Sequence, residues 1–191
     1  RPPFLDGGTC ERSPTSPIRA AAPTRTHSHP RPIATIRRWR ANAQDVVCAC
    51  AERAGLGESL PEGRGRGLGF AQYKNVKAYA AVAFEVEVRD DAAIRLVKAT
   101  IAADAGEVVD RDGLALQMEG GVIQAASWTL HEAVQFDRDG ITSRDWDSYP
   151  ILRFDNVPDI EVVLLDRPGE PPLGAGEATS GPAAAAIANA V

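Results

Sequence analysis

The residue with the clearest chemical potential in this sequence is Glu177, a single carboxylate in a glycine-rich stretch. Gly174 and Gly176 precede it, and Gly181-Pro182 follows, where an alanine-rich run to Val191 predicts a helix. Glycines let another group approach the backbone closely, and a carboxylate in such surroundings is a candidate general base. A glutamate just before a helix more commonly serves the helix dipole or faces solvent, so the pattern alone leaves both interpretations open.

A second set of candidate residues lies on a long helix that we predict over residues 113–135, capped by Asp112. Five positions at helical spacing form one stripe: Gln117, Gly121, Gln124, Trp128 and His131. The glycines at 120 and 121 each cost about 1 kcal/mol in a helix interior, which a sequence accepts where something approaches the backbone. The two glutamine amides could bind a ligand with several heteroatoms. Packing of a second helix against the glycines explains the pattern equally well.

The sequence patterns predict that these residues are positioned by an α+β fold with a mixed sheet. Residues 45–54 favour a short helix, and residues 60–66 a turn-rich connection. Residues 76–89 and 94–103 favour two strands joined by a turn at Asp90-Asp91. Residues 160–165 favour a buried strand. Together with the long helix and a C-terminal helix, the predicted order is helix, two strands, long helix, strand, helix.

Charge and proline content divide the chain near residue 42. Residues 1–42 hold eight arginines against two acidic residues, whereas the remainder holds 13 basic against 24 acidic residues, within a total net charge of -5. Seven prolines by Pro32 interrupt any apolar period, so we predict a disordered tail over residues 1–42 and a partial domain over residues 43–191. The alternatives are a stretch read out of frame and a basic arm, which lacks the lysines and aromatics of a nucleic-acid ligand.

Several classes of function are disfavoured by the patterns. No apolar run reaches transmembrane length, and we expect no nucleic-acid partner. The glycines at 63, 65, 67 and 69 lack the spacing of a dinucleotide-binding loop. His27-Ser28-His29 and Cys48-Ala49-Cys50 are poorly spaced for tetrahedral zinc, so we predict no metal held by side chains. Three cysteines leave the compartment open.

Four stretches of the chain resemble the large, molybdopterin-binding subunit of the molybdenum hydroxylases, the family of xanthine dehydrogenase and aldehyde oxidoreductase. The branch that they resemble most is isoquinoline 1-oxidoreductase and similar bacterial dehydrogenases. The resemblance covers roughly residues 51–191, in the family's order and at close to its spacing. The stretches are Arg64-Gly65-Arg66-Gly67 with Phe70-Ala71-Gln72-Tyr73-Lys74-Asn75, Gln117-Met118-Glu119-Gly120-Gly121 through Gln124, Ser148-Tyr149-Pro150-Ile151-Leu152-Arg153-Phe154, and residues 172–188.

The resemblance implies an enzyme that oxidises an aldehyde or an N-heterocycle with oxygen derived from water. It implies that Glu177 is the base and that a molybdenum–molybdopterin cofactor, for which the cytosine dinucleotide form is one alternative, is bordered by Gln117, Gly120, Gly121, Gln124, Gly174 and Gly176. It further implies [2Fe–2S] clusters on a small partner subunit. The upstream half of the large subunit would supply the other side of the cofactor cleft. A bacterial source is implied, on the cytoplasmic or periplasmic side.

Two departures from the family pattern limit what the resemblance implies. Gln124-Ala125 stands where the family has Gln-Gly, and Asp110-Arg111 stands where it has Asn-Pro. Because one half of a cleft cannot hold the cofactor, we expect the chain by itself to be inactive. The alternative hypothesis is a truncated remnant, or a non-catalytic packing module, that keeps the motifs as inheritance.

Overall fold

The computed structural model describes residues 33–191, with side chains from Ala41 onward. Its main sheet has four strands in the order β1-β2-β3-β6, in which β1, β2 and β3 are antiparallel and β6 runs parallel to β3. A separate two-stranded hairpin, β4 with β5, precedes β6. The predicted mixed sheet is therefore confirmed. The strands are β1 (Arg64–Gln72), β2 (Tyr79–Val88), β3 (Ile94–Asp104), β4 (Phe136–Asp137), β5 (Gly140–Ile141) and β6 (Asp159–Leu164).

Three helices cover the two faces of the main sheet. Helix α1 (Ile33–Ala54) lies on one face, and helices α2 (Arg111–Leu130) and α3 (Ser180–Ala190) lie on the other. Ala81 and Ala83 of β2 pack toward α1, whereas Val82 and Phe84 pack toward α2 and α3. Within residues 33–191, no helix is long and apolar enough to cross a membrane.

Strand β2 shows how this layering determines the sequence pattern. Every residue from Tyr79 to Phe84 is buried, because helices cover both faces of the sheet. The apolar and polar residues alternate only after Phe84, where Glu85 and Glu87 occupy the α1 side of the strand beyond the end of that helix. The predicted hairpin of β2 and β3 is confirmed, with Tyr79 paired to Asp104 and Val88 to Ile94.

Strand β1 contradicts the prediction of a turn-rich connection over residues 60–66, because the strand begins at Arg64. Helix α3 lies directly against the strand at its three alternate glycines, Gly65, Gly67 and Gly69. A Cβ atom on these glycines would overlap the carbonyl oxygens of Ala190, Ala186 and Pro182, respectively. The glycines therefore serve the close approach of a helix to an outer strand.

The first helix is longer than predicted. Helix α1 begins at Ile33, twelve residues before the expected start at Asp45, so residues 33–42 of the predicted tail are helical. Val46 and Cys50, one turn apart, are fully buried against the sheet. Residues 1–32 lie outside the described part of the chain, and the division into a tail and a partial domain stays a prediction.

The later helices differ from prediction at their ends. Helix α2 ends at Leu130 instead of residue 135, and its N-cap is Asp110 instead of Asp112. Asp110 Oδ1 accepts a hydrogen bond of 3.0 Å from the backbone N–H of Gly113. Helix α3 begins at Ser180, with Thr179 at the N-cap position, so Gly181-Pro182 lies within its first turn.

An alanine at position 67 tests the packing of α3 on β1. The new methyl group would overlap backbone atoms of Ala186 and Ala190, which cannot rotate away. We expect Gly67→Ala to lower the free energy of unfolding by about 1–3 kcal/mol, measured by urea denaturation of the chain. The matched control is Gly120→Ala on the exposed side of α2, because apart from its chain neighbours and its own helix backbone nothing lies within 4 Å of the added atom. Equal stability of the two variants would contradict the proposed packing.

A cluster of charges ties the end of α1 to strands β1 and β2. The carboxylate of Glu85 bonds Arg66 Nη2 at 2.8 Å and Arg64 Nη1 at 3.0 Å, and Arg66 Nη1 donates to the carbonyl of Gly55 at 2.5 Å. Burial disfavours the charged form of this carboxyl, but the hydrogen bonds and the attraction of Arg66 and Arg64 outweigh that cost. They hold the pKa of Glu85 below its ordinary value.

The lowered pKa predicts a loss of stability in acid. A carboxylate with a lowered folded-state pKa stabilises the fold above its unfolded value of about 4.3 and loses this contribution as the pH falls through the folded value. We expect Glu85→Gln to be less stable than the wild type at pH 7, with a difference that shrinks toward pH 3. Urea denaturation at several pH values measures this difference. Glu62→Gln, at an exposed position before β1, is the control; a constant gap for Glu85→Gln would refute the assignment.

Candidate functional site

The positions of Gly174, Gly176 and Glu177 depend on the segment of residues 165–179, which runs from the end of β6 to α3. Backbone hydrogen bonds fix this segment along the ends of the neighbouring strands. Leu165 N–H donates to Ala103 O at 2.9 Å, Leu173 N–H donates to Ala105 O at 2.7 Å, and Gly174 O accepts from Ala78 N–H at 3.2 Å. The stretch before Glu177 is therefore held in place although it has no regular secondary structure.

A buried ion pair fixes the start of this segment. The side chain of Asp104, at the end of β3, is fully buried. Its Oδ2 accepts from Arg167 Nε at 2.8 Å, and its Oδ1 accepts from the backbone N–H of Gly106 at 3.0 Å. Arg167 also bonds Asp45 of α1 at 2.7 Å. The pair ties the segment to β3 and α1, while the cost of burying the Asp104 carboxylate offsets part of the attraction.

Glu177 is exposed in the turn that leads into α3. Its Oε2 accepts a hydrogen bond of 2.9 Å from the phenol Oη of Tyr73, which lies 104 residues away in the sequence. The two side chains come together because the β1–β2 connection and the segment before α3 lie side by side. The phenol O–H donates to one of the two carboxylate oxygens and leaves the other without a hydrogen bond from the described residues.

Tyr73 lies in a tight turn that joins β1 to β2. Its N–H donates to Ala78 O at 2.8 Å, and its carbonyl accepts from Lys77 N–H at 2.9 Å. Lys74 and Asn75 adopt left-handed backbone conformations, with φ of 48° and 59°. Residues other than glycine rarely adopt this backbone conformation unless the surrounding structure imposes it.

Gln117, on the first half of α2, contacts the same segment. Its Nε2 donates to the carbonyl of Gly176 at 2.6 Å, directly before Glu177. Gly176 and Gly120 are both exposed, and nothing lies within 4 Å of a Cβ built on either residue. The surface beside Glu177 thus combines uncovered backbone with polar side chains.

Gly121 serves the packing of the fold. A Cβ at this position would overlap the hydroxyl of Thr179, which is fully buried and donates to Met118 O at 3.2 Å. The hypothesis of helix packing against the paired glycines therefore explains Gly121, which separates α2 from the start of α3. It leaves Gly120 unexplained.

The remaining predicted positions vary in their surroundings. Gln124 is exposed on α2, two turns beyond Gln117, and a Cβ on Gly174 would make an ordinary contact of 3.7 Å with Lys77. His131 is the exposed C-cap residue of α2 instead of part of the helix. Trp128 and Trp146 are 42% and 74% exposed, respectively.

Two residues that contact the site were not singled out from the sequence, Tyr73 and Thr179. Tyr73 belongs to one of the four stretches that resemble the family, and this was the available signal. Thr179 lies two residues beyond Glu177 and gave no signal of its own. Within residues 33–191, no group of three or more His, Cys, Asp or Glu side chains is arranged to hold a metal ion.

Comparison with known proteins gives the class of this domain. A family model for the molybdopterin cofactor-binding domain matches residues 41–158. The chain therefore belongs to the molybdenum hydroxylase family, and the resemblance seen in the sequence is confirmed. The match includes Tyr73 and Gln117 and ends before Glu177.

Curated relatives agree with this family. The chain is 40% identical over 165 residues to a subunit of nicotinate dehydrogenase from Pseudomonas putida, covering 78% of the chain and 14% of the relative. It is 33% identical over 153 residues to the beta subunit of isoquinoline 1-oxidoreductase from Brevundimonas diminuta, covering 80% and 17%, respectively. The chain thus spans roughly a sixth or less of the length of these relatives.

Solved structures show the same fold. Quinoline 2-oxidoreductase from Pseudomonas putida 86 matches with a TM-score of 0.55 and 28% identity, over 59% of this chain and 15% of that one. Carbon monoxide dehydrogenase from Oligotropha carboxidovorans matches with a TM-score of 0.54 and 15% identity, over the same shares. The latter likeness concerns the fold alone.

The adjacent glycines of α2 provide a matched pair of substitutions. Gly121→Ala would force the buried Thr179 from its position, so we expect a loss of about 1–3 kcal/mol in the free energy of unfolding. Gly120→Ala meets open space, so we expect a gain of up to about 1 kcal/mol from helix propensity. Urea denaturation of both variants measures the difference, and the reverse order of stability would show that the contact with Thr179 is unimportant.

Proposed function

We propose that this chain forms the base-bearing side of the cofactor site in a molybdenum hydroxylase that oxidises an aldehyde or an N-heterocycle with oxygen from water. Glu177 is the general base. The observation that carries the proposal is the exposed carboxylate of Glu177, which is hydrogen-bonded to Tyr73 and lies next to the uncovered backbone of Gly176. A base must combine access to the reacting group with a fixed orientation.

The surface beside Glu177 fits a flat, polar cofactor. Gly120 and Gly176 have open space where a side chain would lie, and Gln124 is exposed on the same helix as Gly120. Gln117 fixes Gly176 through its hydrogen bond, and Gly174 continues the glycine surface. These residues would border the molybdopterin, and Gly121 would set the separation between α2 and the start of α3. The proposed cofactor includes the cytosine dinucleotide form of molybdopterin as an alternative.

The roles within the reaction follow from the chain's own groups. When bound, the molybdopterin cofactor supplies the metal and accepts the electrons of the oxidation. Glu177 takes up a proton at Oε1 while Tyr73 keeps its bond to Oε2. Gln117 holds the Gly176 carbonyl, which prevents the backbone before the base from turning away.

The proposed assembly includes other polypeptide. The chain spans 14% and 17% of two relatives, both of which are named as subunits. We therefore propose that the other side of the cleft comes from the rest of such a large subunit and that [2Fe–2S] clusters on a small subunit accept the electrons. The chain alone then has no turnover. A non-catalytic packing module would leave the open surface beside Glu177 without a role.

Replacing the carboxylate of Glu177 by an amide tests this proposal. We expect Glu177→Gln in the assembled molybdenum enzyme to lower turnover by about 10²–10⁴-fold, because the amide cannot accept the proton. Molybdenum content, measured by mass spectrometry, should stay at the wild-type level. The control is Glu62→Gln, which changes an exposed glutamate before β1. Wild-type turnover in Glu177→Gln would favour the remnant or packing module instead.

A further inference from the structure

The hydrogen bond from Tyr73 reaches only one of the two carboxylate oxygens of Glu177. Within the described part of the chain, Oε2 of Glu177 takes the 2.9 Å bond from Tyr73, and Oε1 takes no hydrogen bond. The phenol thereby distinguishes the two carboxylate oxygens. One oxygen is fixed, and the other is left to react.

The turn that carries Tyr73 is held in a demanding conformation. Two hydrogen bonds of 2.8 and 2.9 Å fix the backbone of Tyr73 to Ala78 and Lys77. Lys74 and Asn75 are both left-handed, and Lys74 Nζ lies 5.2 Å from the centre of the Tyr73 ring. Consecutive left-handed non-glycine residues are unusual, and such conformations concentrate at functional sites.

The turn and the base are joined directly. Ala78, which receives the Tyr73 N–H, donates its own N–H to Gly174 O, three residues before Glu177. The phenol and the carboxylate are therefore carried by two segments with a fixed separation. Without the phenol, an exposed glutamate after Gly176 would be free to change rotamer, and a small misplacement of a reacting group is costly.

We propose that Tyr73 is a positioning residue, whose Oη–H holds Oε2 of Glu177 so that Oε1 faces the reacting group. This inference rests on the proposed role of Glu177 as base. A merely structural tie between the β1–β2 turn and the segment before α3 is the competing explanation. That explanation predicts a change in stability or cofactor content and no change in turnover per bound molybdenum.

The test uses Tyr73→Phe in the assembled enzyme, since phenylalanine keeps the ring and removes only the hydroxyl. We expect turnover per molybdenum to fall by about 10–100-fold with KM unchanged. Tyr149→Phe is the matched control, because its hydroxyl donates at 3.1 Å to Glu132, just beyond the C-terminal end of α2, and not to Glu177. Wild-type turnover per molybdenum in Tyr73→Phe would overturn the inference.

A second measurement examines Glu177 itself. Labelling of carboxyl groups by a carbodiimide and glycine ethyl ester, followed by peptide mass spectrometry, reports how freely Glu177 reacts. We expect faster labelling of Glu177 in Tyr73→Phe than in wild type or Tyr149→Phe, and the purified chain gives this result even where the variant does not load molybdenum. An unchanged rate would overturn the inference, because Tyr73 would then not act through Glu177.

The two proposals fail separately. If Glu177→Gln keeps full turnover, Glu177 is not the base and the proposed function is wrong. If Glu177→Gln loses turnover while Tyr73→Phe retains it, the base is correct and only the positioning role of Tyr73 is wrong.

Discussion

The arrangement of this domain depends on the distance between helix α3 and strand β1. The helix backbone rests on a strand that has no side chains at three alternate positions, so the two elements approach as closely as backbone permits. Alanines dominate the facing side of α3, where Ala183, Ala186 and Ala190 are buried. This contact sets the height of α3 above the sheet. It thereby determines where the preceding turn, with Glu177, leaves the surface.

The segment before α3 combines a rigid backbone with an exposed reactive group. Its start is fixed by the buried Asp104–Arg167 pair, its middle by bonds to Ala105 and Ala78, and its end by the buried Thr179. Glu177 lies two residues before Thr179 and remains open to solvent. Contacts made by the buried neighbours of Glu177 thus fix the backbone at this residue, although its own side chain makes few contacts.

The periodicity of apolar residues predicted the helices and strands that carry such residues at regular positions. Strands β2 and β3 and the body of α2 follow from apolar spacing. Strand β1 does not, because alternate glycines hide its periodicity and its helical cover lies far along the sequence. Glu177 and Gln117 were predicted as site residues only through the family resemblance. Local spacing also explained Glu177 as a residue at a helix start, and it explained the stripe with Gln117 equally well by helix packing. The Tyr73–Glu177 contact spans 104 residues, so no local pattern could show it.

The contact between β1 and α3 also constrains how the protein can be made. Asn189 donates to the carbonyl of Leu68 across 121 positions, so the outer strand leaves the ribosome long before the helix that covers it. Until then the face of the glycine strand that the helix will cover is exposed to solvent. The turn with Glu177 leads directly into α3, so docking of the helix fixes the C-terminal side of this turn. The covering of this face of β1 and the fixing of the turn with Glu177 therefore both wait until α3 has been synthesised.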